Sequence, residues 1–142
     1  MHALFHCGQL FYCSPARKGV REMSFMFENL GVYQKAVDFA EKIMALSGQF
    51  PRGYYFLRDQ LNRAALSIAT NIAEGNGRFT KADRRNFFTI ARGSVHECVP
   101  LLELAKRRAF ISERICTELR GELQTVAKML SGLISGLNKR RK

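Results

Sequence analysis

Four successive stretches of this chain carry apolar residues at three- and four-residue spacing, a pattern that leaves little choice of fold. The first covers residues 29–46, with Leu30, Tyr33, Val37, Ala40 and Met44 on one side and Ser47-Gly48 as its stop. Such spacing lines one face of a helix with 3.6 residues per turn. The second covers residues 54–74 after the Phe50-Pro51-Arg52-Gly53 turn, and Leu57, Leu61, Ala64, Ala65, Ile68 and Ile72 share its face. Gly75-Asn76-Gly77 is expected to end it, because glycine accepts a left-handed backbone cheaply. The third opens at Thr80 with Asp83 three residues on, a variant of the capping box, and extends to residue 108. Its expected inward residues are Phe87, Ile90, Ala91, Ser94, Cys98, Leu101, Leu102 and Ala105, and Pro100 should kink or divide it. The fourth starts near Ser112 and carries Ile115, Leu119, Val126, Leu130, Leu133 and Leu137. No useful stretch alternates as a strand would. The pattern predicts an all-α fold, an antiparallel up-down-up-down four-helix bundle over residues 25–138.

At 142 residues the chain supports one domain with a single core. Residues 1–24 do not share the helical periodicity. They read as an N-terminal extension, either disordered or a misassigned start with Met23 or Met26 as the true one, and residues 139–142 read as a basic tail. Within the extension the basic residues follow the short apolar section, the reverse of a secretory signal. No apolar run approaches the roughly 18 residues that span a bilayer, so no membrane is expected. Cys7, Cys13, Cys98 and Cys116 show neither a CxxC nor a paired Cys/His spacing. No metal is expected, at the loose His2, His6, Cys7 and Cys13 cluster or elsewhere, and the compartment reads as a reducing cytoplasm. Lys and Arg number 23 against 12 Asp and Glu, a net charge of +11 that implies a polyanionic partner, nucleic acid ahead of a membrane surface.

Catalytic chemistry is hard to place. His96 is the one histidine in the helical region and faces no spaced nucleophile, and Gly75-Asn76-Gly77-Arg78 lacks the Lys-Ser/Thr of a phosphate-binding loop. No Glu-x-x-His pair is present for a di-iron bundle. The reading is a non-enzyme without cofactor. The basic residues are more informative. Lys106, Arg107, Arg108 and residues 139–142 stand at helix C-termini, where cations complement the dipole. Arg78, Lys81, Arg84 and Arg85 stand at a helix start, where positive charge is unfavourable and an anion site is the easier account. At 100° per residue Lys81, Arg85, Arg92 and His96 fall within about 60° of one another, a basic ridge about four turns long. Arg78, Lys81, Arg84, Arg85 and Arg92 are therefore the candidate phosphate-binding residues. An ordinary solvated face accounts for the ridge equally well. Exposed aromatics among these charges look few, which disfavours stacking on single strands. On the second helix Gln60, Arg63, Ser67, Asn71 and Glu74 form a polar stripe, open to a second copy of the chain. Asn71, Glu74, Gly75 and Arg78 are expected to clasp the glycine turn, with Asn71 bridging a Glu74–Arg78 pair.

The segment Asn71-Ile72-Ala73-Glu74-Gly75-Asn76-Gly77-Arg78, preceded by Gln60-Leu61-Asn62-Arg63-Ala64-Ala65-Leu66-Ser67, resembles the signature of the 23S rRNA intervening-sequence protein family. Ile90-Ala91-Arg92-Gly93-Ser94 with Glu97-Cys98 resembles its second block, and Phe27-Glu28-Asn29-Leu30 with Tyr33-Gln34-Lys35-Ala36 its opening. The similarity covers residues 25–137. Two departures stand out: Arg52-Gly53-Tyr54-Tyr55 where many members carry a Glu, and Pro100 in a helix usually read as continuous. The resemblance implies a four-helix bundle, a ring-shaped homopentamer, association with RNA and no catalytic activity. It also implies, as an alternative, kinship with the accessory variability proteins of diversity-generating retroelements, whose partners are a reverse transcriptase and nucleic acid. A plain protein-interaction scaffold without nucleic acid is the third reading.

Overall fold

The computed structural model describes residues 24–139. A 3₁₀ turn at Met26–Asn29 leads into α1 (Gly31–Ser47), α2 (Tyr55–Gly77), α3 (Lys81–Arg107) and α4 (Glu113–Lys139), with no strand among the described residues. Each helix packs on the next, and α4 closes the bundle against α1. α1 and α3 thus lie on one diagonal, α2 and α4 on the other. The four-helix bundle expected from periodicity is the fold. The N-terminal His and Cys cluster, most of the N-terminal extension and residues 140–142 lie outside the described residues.

The inward face of α2 is as predicted, with Leu57, Leu61, Ala64, Ala65, Ile68 and Ile72 all buried. α1 is rotated from its expected face. Val32, Ala36, Phe39, Ala40 and Ile43 point into the core, while Val37 and Met44 are 40% and 48% exposed. This helix carries two apolar stripes a residue apart, and the bundle covers the one holding Phe39 and Ile43, whose side chains bury more surface. α3 buries Ala91, Ser94, Cys98, Leu102 and Ala105 as expected, but Phe88 and Val95 join them, Ile90 is exposed, and Phe87 and Leu101 are half-covered. In α4, Cys116 and Leu123 join the core with Leu119, Val126 and Leu130, whereas Ile115, Leu133 and Leu137 pack at its margin.

The helix ends follow local chemistry. Thr80 caps α3 as a box: the Asp83 amide donates to Thr80 Oγ1 at 3.1 Å, and the Thr80 hydroxyl donates to Asp83 Oδ2 at 2.6 Å. Ser112 caps α4 by accepting from the Ile115 amide at 3.2 Å. α3 runs through Pro100 without being divided there. The glycine turn also differs from expectation. α2 continues through Gly75 to Gly77 and ends at Arg78 in extended conformation, with no left-handed residue there. The left-handed cap belongs to Ala109 (φ 59°), after α3. There the Ala109 amide donates to Lys106 O and the Phe110 amide to Ala105 O, both at 2.9 Å, the paired bonds of a Schellman motif. Phe110 then packs on Phe50 and Tyr54 at the base of the α1–α2 connection.

Candidate nucleic-acid interface

The α2–α3 corner is three residues long, Arg78, Phe79 and Thr80, and it brings the C-terminus of one helix against the N-terminus of the next. Gly75 makes that approach feasible. It is buried, and a Cβ there would stand 2.9 Å from Phe87 Cβ and 3.0 Å from the Phe88 ring. The glycine therefore serves close packing of α2 on α3 rather than backbone reversal. Glu74 and Arg78 form an ion pair across one turn, and the Arg78 guanidinium lies 4.7 Å from the centroid of the Phe87 ring. Arg84, from the first turn of α3, reaches back to donate from Nε to Arg78 O and from Nη2 to Asn76 O, both at 3.0 Å. These carbonyls belong to the end of α2. A cation that looks misplaced at the positive end of α3 is thus well placed at the negative end of α2.

Asn71 takes no part in the Glu74–Arg78 pair, correcting the expected clasp. Its amide donates to Ser67 O at 2.8 Å and to Ser67 Oγ at 3.0 Å. Ser67 Oγ lies 2.9 Å from Ser94 Oγ, and the Ser94 hydroxyl donates to Ile90 O at 3.2 Å. Each hydroxyl has one proton, so the Ser67 hydroxyl donates to Ser94. Farther along, Gln60 Nε2 donates to Glu97. Much of the polar stripe on α2 is therefore spent on α3 within the subunit. Among the described residues no buried side-chain nitrogen or oxygen lacks a partner.

Lys81, Arg85, Arg92 and His96 lie on the exposed side of α3. Arg85 Nη1 donates to Asn138 Oδ1 of α4 at 3.3 Å. Lys81, Arg85, Leu137 and Asn138 line an open groove of about 510 Å³ between the start of α3 and the end of α4. Of the five candidate residues, two are thus held by the corner itself, and three remain on the outer surface. Sequence reasoning missed Phe79. It sits between Arg78 and Thr80 at 104% relative exposure, outside any helix, where periodicity carries no signal.

At the opposite end of the bundle the basic residues are absorbed locally. Glu103 pairs with Lys106 and Arg107 at 3.0 Å and with Arg120 at 3.5 Å. Hydrogen bonds from Lys106 and Arg107 hold its carboxyl below the usual carboxylate range. Arg108 bonds the Tyr54 hydroxyl and covers its ring. Burial pushes the Cys98 thiol up to about 12, with the Glu97 charge adding to the shift, so it stays protonated at neutral pH and is a packing group. Among the described residues no cluster of His, Cys, Asp and Glu is arranged to hold a metal ion. No helix there is long and apolar enough to cross a membrane.

With this geometry in hand, comparison with known proteins is informative. Residues 28–132 match the family model described as 23S rRNA-intervening sequence protein. Among solved structures, a protein of unknown function from the S23 ribosomal protein family of Bacteroides thetaiotaomicron is similar, with a TM-score of 0.68 and 26% identity. The similarity covers 72% of this chain and 97% of that one. No curated protein matches the chain.

Proposed function

The chain belongs to the 23S rRNA-intervening sequence protein family, and we propose that it is a non-enzymatic, cytoplasmic RNA-binding protein that works as a homo-oligomer, a ring of five subunits. The observation that carries the RNA reading is the exposed ridge of Lys81, Arg85 and Arg92 on α3. Arg84 and Arg78 are held at the corner by carbonyls and a carboxylate. Lys81, Arg85 and Arg92 are all exposed along the outer side of α3, Arg85 while also bonding Asn138, and their spacing over several turns suits successive phosphates. The family's description, which refers to 23S rRNA, makes structured RNA the favoured polyanion.

Exposed apolar residues support assembly. Val37 and Met44 lie on α1, Ile90 and Leu104 on α3, and these helices occupy opposite corners of the bundle. Exposed apolar residues on two different helices of the subunit suit a head-to-tail contact, the kind that closes into a ring.

The test is affinity for an rRNA fragment measured across a salt series. Binding should weaken steeply with salt, and the double substitution Arg85→Glu, Arg92→Glu should weaken it and flatten the slope by about 0.9 for each phosphate no longer neutralised. Salt-independent binding, or none at low salt, overturns the reading. Arg84 is unsuitable for this test, because reversing its charge would uncap α2.

A further inference from the structure

We propose that Phe79 is a stacking platform for an unpaired nucleobase, so that the RNA bound at the α2–α3 corner is single-stranded at that point. This deepens the RNA-binding reading and rests on it. A phenylalanine left in water forgoes on the order of 1.5–3 kcal/mol of burial. Phe79 is fully exposed, whereas Phe88 in α3 is buried and Phe87 is half-covered. Its position is well defined by the backbone on either side. The Arg78 amide donates to Gly75 O at 3.2 Å, and Thr80 is held in the capping box. The ring is thus displayed on a short, anchored corner rather than on a long loop.

Its surroundings suit a nucleotide better than an apolar protein surface. Residues 74–85 hold four cations, Arg78, Lys81, Arg84 and Arg85, against two carboxylates. Glu74 is paired with Arg78 and the Thr80 hydroxyl donates to Asp83, and the four cations still outnumber the two carboxylates. On one side of the corner Phe79 and Phe27 line an open groove of about 480 Å³ floored by Thr70, Ala73 and Gly77. On the other lies the basic groove at Lys81 and Arg85. A base against the Phe79 ring, with flanking phosphates toward Lys81 and Arg85, satisfies both chemistries at once. Folded RNA offers such bases at loops and bulges. A second copy of this chain, seated on Phe79 and Phe27 with the exposed Phe25 and Met26 nearby, is the competing occupant, and a changed subunit count in Phe79→Ala would report it.

The experiment uses the full-length protein and two RNA probes with the same stem, one a hairpin with a single-stranded loop and the other a blunt duplex. Phe79→Ala should weaken hairpin binding about tenfold and leave both duplex affinity and the salt slope unchanged. Phe79→Tyr keeps a ring and should bind as the parent does. A 2-aminopurine in the loop should be quenched on binding to the parent and to Phe79→Tyr, but not to Phe79→Ala. Equal losses on both probes, no loss on the hairpin, or a changed subunit count in Phe79→Ala overturn the stacking site. If the parent binds both probes in a salt-dependent manner and Phe79→Ala is indistinguishable from it, only the stacking site falls. If the parent binds neither probe, the RNA reading falls with it.

Discussion

A methyl group at Gly75 would sit 2.9 Å from Phe87 Cβ, whereas one at Gly77 would meet nothing within 4 Å. Two glycines of one motif are therefore under opposite constraints. Gly75→Ala should destabilise the fold by about 1–3 kcal/mol, since α2 and α3 must separate or Phe88 must leave its rotamer. Gly77→Ala, at a position without positive φ, should be neutral or stabilise by up to about 1 kcal/mol through the unfolded chain. Urea unfolding of the two variants separates the cases, and equal effects would refute the packing role of Gly75. Arg84 carries the same lesson for charge. Its place in the sequence marks it as a cation at the wrong end of a helix, and only the fold shows a second helix end within its reach. Asn71 was legible as a polar group needing a partner. Which partner it has depends on Ser94, a residue of another helix.

Among the elements, α2 is legible in phase because its apolar residues form one unbroken stripe. α1 and α3 each offer two neighbouring stripes, a residue or about 100° apart, and local spacing cannot choose between them. What chooses is the volume offered by the other helices, which Phe39, Ile43 and Phe88 fill. Helix termination is legible where the signal is a side chain, as at Thr80 and Ser112. Glycine is the misleading signal. The left-handed residue is Ala109, which carries a Cβ in a conformation that costs roughly 1–2 kcal/mol. Ala109→Gly should therefore raise unfolding stability by about 1 kcal/mol, read from thermal or denaturant melts. A loss of stability would show that the Ala109 methyl contributes more than its backbone strain removes. Pro100 illustrates the converse: a strong local breaker lies inside a helix that continues on both sides of it.

At the scale of the molecule, charge and exposed apolar surface are distributed with some order. At the end bearing Arg108 the cations are engaged locally by Glu103 and Tyr54, while Lys81, Arg85 and Arg92 are exposed along the outer face of α3. In a ring of identical subunits that ridge would recur around the assembly, multiplying weak phosphate contacts through effective concentration. Assembly itself should depend on the apolar patches. Met44→Glu combined with Leu104→Glu should convert the oligomer to monomers in native mass spectrometry while helical circular dichroism is retained. An oligomer that survives both changes would place the interface elsewhere.

Periodicity alone determined the number of helices, their order and the inward face of α2, because a 3.6-residue repeat of apolar side chains has one way to leave water. Composition determined the excess of positive charge, though not its destination. Tertiary structure decided which stripe of α1 and α3 is buried, that Gly75 is a contact point, that Arg84 serves a neighbouring helix and that Phe79 is left exposed at the corner. Each of these depends on atoms distant in sequence, so the free energy that settles it exists only once the helices have packed.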